Sequence, residues 1–501
     1  MRYILGIDQG TTGSTAMLLD EAMMVVASVG VEFEQHYPRP GWVEHDPSQI
    51  WDSVGEAVTG ALEKASVAGS DVAAIGITNQ RETTVLWDRT SGQPVHPAIV
   101  WQCRRTADMC GALKGRGLEP LFRERTGLVL DPYFSGTKAA WILDNVDGLR
   151  GRAASGAIAF GTIDAFLVWR LTGGKVHATD PSNASRTLMY DLRSGTWDLD
   201  LLEALDVPCE VLPEVLPSSH VYGTTRGLGF LPDGIPVAGV IGDQQAALFG
   251  QACFEPGDAK CTYGTGAFML MNTGGTAVAS EAGLLTTVAW RIGDETTYAL
   301  EGSCFIAGAA VQWLRDALEV IGSSGEVEAL AAGAEPLSEV VFVPALAGLG
   351  APHWDPHARG AVLGLTRGAG RAELARAVLE GMALQIRDLA LAMEKDAGRE
   401  LAAMRVDGGA CVNDLLMQFQ ADVLERTIVR PRVVETTGLG SMLLAGLATG
   451  VFEGLDAIRR SWKQDRRFAP SMDDEQRNRV VARWEKAVAA VRSFGSGAPL
   501  S

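Results

Sequence analysis

The sequence predicts an α/β protein made of two halves, each of which begins with a strand, a tight polar turn and a second strand. Strand and helix patterns alternate along the 501 residues, which favours helices packed in layers on a sheet. The opening pattern returns past the midpoint as weak internal similarity, not as a short repeat. We therefore expect one domain over residues 1–250, a second over 251–491, and a disordered tail over 492–501.

The first hairpin combines an acidic residue with a phosphate-sized turn. An apolar strand over residues 3–7 ends at Asp8, the turn Q-G-T-T-G follows, and further strands are predicted over 15–19 and 23–29. Small residues in such a turn expose backbone N–H groups, and Thr11 and Thr12 add hydroxyl donors. A carboxylate beside the turn suits Mg²⁺, which keeps much of its hydration shell. A hairpin without a ligand remains the alternative.

The first long helix has a clear start signal. Asp46 can cap it, Pro47 suits its first position, and Gln49 completes a capping box. The pattern predicts a helix to about Ala65 and then a buried strand over residues 72–77.

Two further glycine turns lie in the second half. The pattern predicts strands over 259–263 and 267–271, joined by the turn Gly264-Thr265-Gly266. Two phosphate-type turns, one per half, suggest a nucleotide held between two lobes. The turn Asp407-Gly408-Gly409 precedes a helix predicted from about Asn413, and its backbone could approach a base or ribose closely. Taken alone, a plain strand-to-helix turn is the favoured interpretation there.

Asp243 follows a predicted strand over residues 237–242 and opens the next helix. It could simply cap that helix. At the carboxyl end of a strand in an open α/β sheet, it also lies where ligands usually bind. Near a helix N-terminus the carboxylate stays ionised at neutral pH, and such a group can orient an alcohol and accept its proton during phosphoryl transfer.

Composition excludes several classes of function. The formal net charge of −18 disfavours nucleic acid and anionic membranes as partners. No segment approaches the roughly 20 apolar residues that span a bilayer, and no apolar signal core precedes Asp8, so we expect no membrane insertion. The seven cysteines form no C-x-x-C pair and indicate free thiols in a reducing cytoplasm. His353 and His357 are separated by Pro356, which disfavours a metal pair.

Many sequence blocks in order resemble one family, the FGGY carbohydrate kinases, over residues 3 to about 491. The stretches that carry the resemblance are D-Q-G-T-T at Asp8, P-G-W-V-E-H-D-P at Pro40, G-I-T-N-Q-R-E-T-T at Gly76, A-I-V-W-Q-C-R-R-T at Ala98, D-P-Y-F-S-G-T-K at Asp131, G-D-Q-Q-A-A-L-F-G-Q at Gly242, Y-G-T-G at Tyr263, G-L-G-A-P at Gly348 and R-V-D-G-G-A at Arg405. The resemblance implies two actin-like, RNase H-type domains with the active site in the cleft between them.

The resemblance also implies an activity: ATP-dependent, Mg²⁺-assisted phosphorylation of glycerol to sn-glycerol 3-phosphate. The first domain would bind the polyol and carry the base, and the second would bind the nucleotide. Homo-oligomers, dimers or tetramers, are expected at the level of the family. The implied site residues are Asp243 as base; Arg81, Glu82, Trp101, Tyr133, Asp243, Gln244 and Phe268 for the polyol; Thr11, Thr12, Gly13, Thr265, Gly308, Gln312, Gly409 and Asn413 for the nucleotide; and Asp8 for the metal.

Three alternatives remain at this stage. The chain could be another kinase of the same family that acts on xylulose or gluconate, an actin-like scaffold or nucleotide-gated binding protein, or a catalytically inactive relative. Arg81 and Glu82 within N-Q-R-E-T favour glycerol, although without the family resemblance a surface ion pair is the more common meaning of adjacent opposite charges. The presence of Asp243 beside a polyol set disfavours the scaffold and the inactive relative.

Overall fold

The computed structural model describes residues 2–335 and 338–496. Within these residues the strands are β1 Tyr3–Gln9, β2 Gly13–Leu19, β3 Val25–Glu32, β4 Glu44–His45, β5 Val72–Asn79, β6 Val85–Asp88, β7 Ala98–Ile99, β8 Ile158–Gly161, β9 Ala178–Thr179, β10 Tyr190–Asp191, β11 Thr196–Trp197, β12 Glu214–Val215, β13 Ser219–Thr224, β14 Pro236–Gly242, β15 Ala259–Tyr263, β16 Ala267–Gly274, β17 Leu285–Ile292, β18 Glu295–Cys304, β19 Val341–Val343, β20 Ala361–Leu363, β21 Met404–Asp407, β22 Ile428–Pro431 and β23 Gln464–Phe468.

The helices cover the faces and edges of these strands. They are α1 Pro47–Ala65, α2 Ala107–Gly115, α3 Glu119–Thr126, α4 Ser135–Asn145, α5 Leu149–Ala154, α6 Ile163–Leu171, α7 Pro181–Ala184, α8 Leu199–Leu205, α9 Asp243–Gly250, α10 Gly308–Asp316, α11 Val327–Ala332, α12 Arg371–Ala397, α13 Asp414–Leu424, α14 Thr436–Ala448, α15 Leu455–Ser461 and α16 Asp474–Ser496. Short 3-10 turns lie at Gly69–Asp71, Cys209–Val211, Ser324–Glu326 and Gly409–Val412.

One sheet of thirteen strands runs through the described part of the chain, in the order β23-β22-β21-β15-β16-β18-β17-β13-β14-β5-β1-β2-β3. In the first half, β1, β2 and β3 form an antiparallel meander, and β5 and β14 extend it in parallel from β1. In the second half, β15, β16 and β18 are antiparallel, and β21 and β22 extend in parallel from β15. The two halves therefore repeat one strand order, and the predicted α/β fold is confirmed. The two sets meet where Ser219 pairs with Ile292.

Both predicted hairpins are present, but the third strand begins two residues later than expected. The chain turns at Met23, whose φ is +60°, and the carboxylate of Asp20 accepts hydrogen bonds from the N–H groups of Ala22 and Met24. Positive φ is incompatible with a strand. The apolar side chain of Met23 gave no sign of this turn in the sequence.

Helix α1 has the predicted length, but its capping box does not form. The Asp46 side chain accepts from the Ser48 N–H at 2.8 Å, as an N-cap should. Gln49 instead accepts from the Glu34 N–H at 3.2 Å, which ties the helix to the segment after β3. A tertiary contact has replaced the local one.

Glycines allow helix α14 to pack on the sheet of the first half. A Cβ at Gly76 would lie 2.3 Å from the Ser441 carbonyl oxygen, and one at Gly440 would lie 2.0 Å from that of Ala246. No Cβ tolerates such a distance from fixed backbone. The glycine-rich composition therefore serves close backbone approaches, as the sequence predicts.

We predict that Gly440→Ala destabilises the fold by roughly 3 kcal/mol, because the new methyl group must displace backbone of helix α9. Gly111→Ala is the matched control, since Gly111 also lies inside a helix and a Cβ there meets nothing within 4 Å. That control should stabilise by roughly 0.5–1 kcal/mol through helix propensity. Denaturant unfolding midpoints measure both, and equal shifts would contradict the proposed packing.

Helix α16 extends to Ser496, so the expected disorder over residues 492–496 is wrong. Val488 and Val491 are buried against the core of the second half, and this anchoring carries the helix onward. The rest of the expected tail, 497–501, lies outside the described residues. All seven cysteines carry free thiols. Among the described residues, no helix is both long and apolar enough to cross a membrane.

Candidate active site

The candidate polyol site begins with a buried arginine between two acids. Arg81 follows β5, and its side chain is 2% exposed. Its Nε lies 3.0 Å from Oδ1 of Asp243, and its Nη1 and Nη2 both donate to the carboxylate of Glu301. These acids raise the pKa of Arg81 against the opposing effect of burial. The interpretation as a surface ion pair between Arg81 and Glu82 is therefore wrong.

Glu82 points to a second buried guanidinium. Its Oε1 accepts from Nε of Arg186 at 2.6 Å, and both side chains are almost fully buried. Burial raises the pKa of Glu82, while Arg186 and Arg81 act in the opposite direction. The backbone of Glu82 has φ +60°, which is uncommon for a residue with a side chain. Such strain persists where neighbours hold the residue in place, and it concentrates at functional sites.

Two side chains from helix α4 hold the backbone of Glu82 in that conformation. Its carbonyl oxygen accepts from Oγ of Ser135 at 3.0 Å and from Nζ of Lys138 at 3.3 Å. Lys138 also donates to the carbonyl of Tyr133, so one buried ammonium joins the two segments that carry polyol candidates. Burial lowers the pKa of Lys138 to about 8.

Aromatic rings form a wall beside these groups. The rings of Trp101 and Tyr133 meet edge to face at 5.7 Å, and the guanidinium of Arg186 lies 5.5 Å from the Tyr133 ring. Trp101 Nε1 donates to Oγ1 of Thr11 at 3.0 Å, which joins this wall to the first hairpin. Phe268 lies on β16 of the second half, opposite Ser303 of β18, and is half-buried.

Asp243 occupies the first turn of helix α9, with its side chain 30% exposed. Its Oδ1 accepts from the adjacent Gln244 N–H at 2.6 Å. Asp243 is the first residue of the helix, Gly242 is the N-cap, and no side chain caps the helix, so the interpretation of Asp243 as the capping residue is wrong. The preceding residue, Gly242, donates its N–H to Oγ of Ser182 at 2.8 Å. A partly exposed carboxylate held at the end of a strand meets the geometric needs of a base.

The side chain of Gln244 is held from the second half of the chain. Its Oε1 accepts from Nζ of Lys260, which also donates to Oγ1 of Thr262 at 2.7 Å. Lys260 is fully buried, and burial lowers its pKa. With its oxygen occupied, the amide N–H groups of Gln244 are the part that can donate to a ligand.

The negative charges of Asp243 and Glu435 act on the carboxyl group of Asp8. Burial, then Asp243, then Glu435 raise the pKa of Asp8 to about 8. A carboxyl group in such surroundings holds a proton at neutral pH unless a cation replaces that proton. Mg²⁺ accepts one or two carboxylates in addition to substrate phosphates. Asp8 and Asp243 are carboxylates of that kind, whereas the described residues contain no group of three or more potential metal ligands.

A cavity of about 320 Å³ lies beside the second hairpin. Five of the eight nucleotide candidates line it: Thr265, Gly308, Gln312, Gly409 and Asn413. Further lining residues that the sequence did not reveal are Val311, Ser324, Gly325, Val327, Glu328, Leu379, Val412 and Leu416. Mostly apolar walls with a few polar groups suit the flat base of a nucleotide.

The other three nucleotide candidates lie on the first hairpin and do not line this cavity. Thr12 is exposed, Thr11 is half-buried, and the N–H of Gly10 closes the turn on the carbonyl of Gly13 at 2.9 Å. A Cβ at Gly13 would lie 2.7 Å from the Val31 carbonyl oxygen. Strand β3 therefore requires glycine there.

Sequence reasoning missed four buried charged residues at the site, namely Lys138, Arg186, Lys260 and Glu301. A signal existed for one of them, because Lys260 is the single charge in strand β15, whose other residues are uncharged and mostly buried. Buried charges need partners, so a lone charge in such a strand predicts a polar site beneath it.

The repeated sheet topology, the partly exposed carboxylate paired with a buried guanidinium, and the cavity beside the second glycine turn together fit a two-lobed α/β phosphotransferase. Residues 3–250 match the FGGY family of carbohydrate kinases, N-terminal domain, and residues 259–449 match the C-terminal domain of that family. The chain therefore belongs to the FGGY family of carbohydrate kinases.

Individual relatives agree with this assignment. The chain is 58% identical to a protein of Myxococcus xanthus named glycerol kinase, over 97% of this chain and 99% of the relative. It is 56% identical to glycerol kinase 2 of Thermotoga maritima, over 99% of both chains. The crystal structure of Plasmodium falciparum glycerol kinase with ADP superposes with a TM-score of 0.92 at 35% identity, covering 98% of each chain.

Proposed function

We propose that this chain transfers the γ-phosphoryl group of ATP to glycerol, giving sn-glycerol 3-phosphate, with Asp243 as the base. The observation that carries the proposal is the carboxylate of Asp243, which is partly exposed and held 3.0 Å from the buried guanidinium of Arg81. The near full-length identity to relatives named glycerol kinase supports glycerol as the acceptor.

The candidate polyol site offers each hydroxyl of a triol a partner of suitable chemistry. Arg81 donates, the carboxylates of Glu82 and Asp243 accept, and the amide of Gln244 donates. The rings of Trp101, Tyr133 and Phe268 cover the carbon backbone. An acceptor that lacks a hydroxyl would leave charged groups unpaired, which makes such a site selective.

Asp243 orients the reacting hydroxyl and accepts its proton late, because the transition state of phosphoryl transfer is loose. The nucleotide would lie in the cavity beside the second hairpin, with its phosphates toward both glycine turns. Closure of the two lobes over both substrates would exclude water and limit wasteful hydrolysis of ATP.

Mg²⁺ would be held by Asp8, with Asp243 nearby. When bound, the ion neutralises charge on the phosphate oxygens. The raised pKa of Asp8 supports this role, because a cation would take the place of the proton that the unliganded group holds.

The remaining expectations are part of the same proposal. We place the polyol and the base in a domain of residues 1–250 and the nucleotide in a domain of residues 251–491. We also propose that the protein is cytoplasmic and that it assembles into a homo-oligomer, either a dimer or a tetramer. Light scattering on the purified protein measures the assembly, and a monomer at micromolar concentration would contradict it. Cell fractionation tests the location, and limited proteolysis should cut between the domains.

Measuring ADP release with a panel of acceptors tests the function. We predict that kcat/KM for glycerol exceeds that for xylulose, gluconate and propane-1,2-diol, the last by about 10⁴-fold because it lacks one hydroxyl. EDTA should abolish turnover, and added Mg²⁺ should restore it. Faster turnover of xylulose or gluconate would assign the chain to another substrate, and ATP binding without any turnover would favour a scaffold.

A further inference from the structure

Glu301 is a buried acid that none of the proposed catalytic steps uses. It lies on β18, in the half of the chain that carries the nucleotide cavity, and its side chain is 1% exposed. Its Oε2 accepts from Arg81 Nη1, while its Oε1 accepts from Arg81 Nη2 at 3.2 Å and from Arg186 Nη2 at 2.9 Å. One carboxylate thus holds two buried guanidiniums.

Glu301 lies in a group of buried charges of both signs, which also includes the ammonium of Lys260. Two guanidiniums, Arg81 and Arg186, face two fully buried carboxylates, Glu82 and Glu301. The carboxylate of Asp243 also pairs with Arg81 and is partly exposed. Without the carboxylate of Glu301, both terminal nitrogens of Arg81 and Nη2 of Arg186 would lose their charged partner.

The orientation of Arg81 is fixed at two points. Its aliphatic stem packs against Gly242, where a Cβ would lie 2.8 Å from the Arg81 Cδ. Its planar head donates to Asp243 through Nε while both terminal nitrogens donate to the carboxylate of Glu301, and Nη1 also donates to Oε1 of Gln245 at 3.2 Å. Among these head contacts, the two-oxygen contact comes from the second half of the chain, which therefore helps to set the direction in which Arg81 donates to a polyol.

We propose that Glu301 is a positioning residue for the polyol, acting from the nucleotide-binding half by fixing the guanidinium of Arg81 beside Asp243. This inference rests on the proposed function. It predicts that loss of the carboxylate weakens binding of glycerol and leaves binding of ATP intact, which a role in general stability would not do.

The test compares Glu301→Gln and Glu301→Asp with the wild type in steady-state kinetics and in calorimetric titration of glycerol. For Glu301→Gln we expect the KM and Kd of glycerol to rise about 10- to 100-fold, the loss typical of one hydrogen bond to a charged group, with the KM of ATP unchanged. Glu301→Asp keeps the charge on a shorter stem and should recover part of this loss. Glu380→Gln is the matched control, because Glu380 is a largely buried acid of the same half that pairs with Arg376 at 2.7 Å.

The possible results separate failure of the Glu301 proposal from failure of the proposed function. If the wild type turns glycerol over and Glu301→Gln keeps its glycerol KM, the role of Glu301 is overturned and the proposed function stands. If the KM values of glycerol and ATP rise together, or if neither Glu301 variant folds, Glu301 is structural and the proposal fails. If the wild type itself neither binds nor phosphorylates glycerol, the proposed function fails first.

Discussion

Replacing Asp243 with asparagine should lower kcat by about 10²- to 10⁴-fold, the range that general base catalysis contributes. The amide keeps an oxygen that can accept from Arg81 Nε, now 3.0 Å away, so the local geometry should survive. It cannot take a proton from the substrate hydroxyl. The KM of glycerol should change far less than kcat, because the other groups that bind the polyol remain. ADP release at saturating glycerol and ATP measures the effect.

Asp88→Asn provides a matched control for this substitution. Asp88 ends β6 in the same half of the chain, and its side chain is 22% exposed. It pairs with Arg152 and accepts from the N–H groups of Thr90 and Ser91, none of which is a polyol or nucleotide candidate. Its removal should leave kcat within about twofold of the wild type, since a surface ion pair contributes little. A kcat for Asp243→Asn within tenfold of the wild type would show that another group acts as the base.

The fold could be predicted from the sequence because the residue patterns that indicate its strands, turns and helices are local. Hydrophobic alternation and glycine turns located both hairpins, and the aspartate before α1 with the proline at its first position located that helix. The misjudged elements depend on tertiary contacts: Gln49 bonds to Glu34 instead of its own helix, and the buried face of α16 carries the helix past Val491. No local pattern encodes such contacts.

The residues of the candidate site could be predicted mainly from the resemblance to the FGGY family. From local pattern alone, Arg81 and Glu82 suggested a surface ion pair, whereas both are buried and each pairs with a residue more than 100 positions away. Arg186 gave no signal at all, because it follows a short helix in a polar stretch. Long-range charge pairing has no sequence period, so only the assembled fold reveals it.

Replacing Arg81 with lysine should lower kcat/KM for glycerol by about 10²- to 10³-fold, as two hydrogen bonds between charged groups are lost or misplaced. A lysine keeps the positive charge, but its single ammonium cannot reach Asp243 through one nitrogen and hold both oxygens of Glu301 through two others. We expect most of the loss in kcat/KM to come from a higher KM for glycerol. The KM of ATP should stay within twofold of the wild-type value. Kinetics with each substrate varied in turn measure this division.

Arg105→Lys is the control for that change, because the Arg105 side chain is also fully buried and pairs with an acid, Glu44, at 2.7 Å, while its guanidinium stacks on Trp42. This variant should lower the unfolding midpoint and leave kcat/KM for glycerol within about threefold, since lost packing and pairing affect stability. If Arg105→Lys and Arg81→Lys reduce kcat/KM equally, the loss reflects a general weakening of the first half. If only Arg81→Lys reduces kcat/KM, the loss comes from the hydrogen bonds that the guanidinium of Arg81 makes to both Asp243 and Glu301.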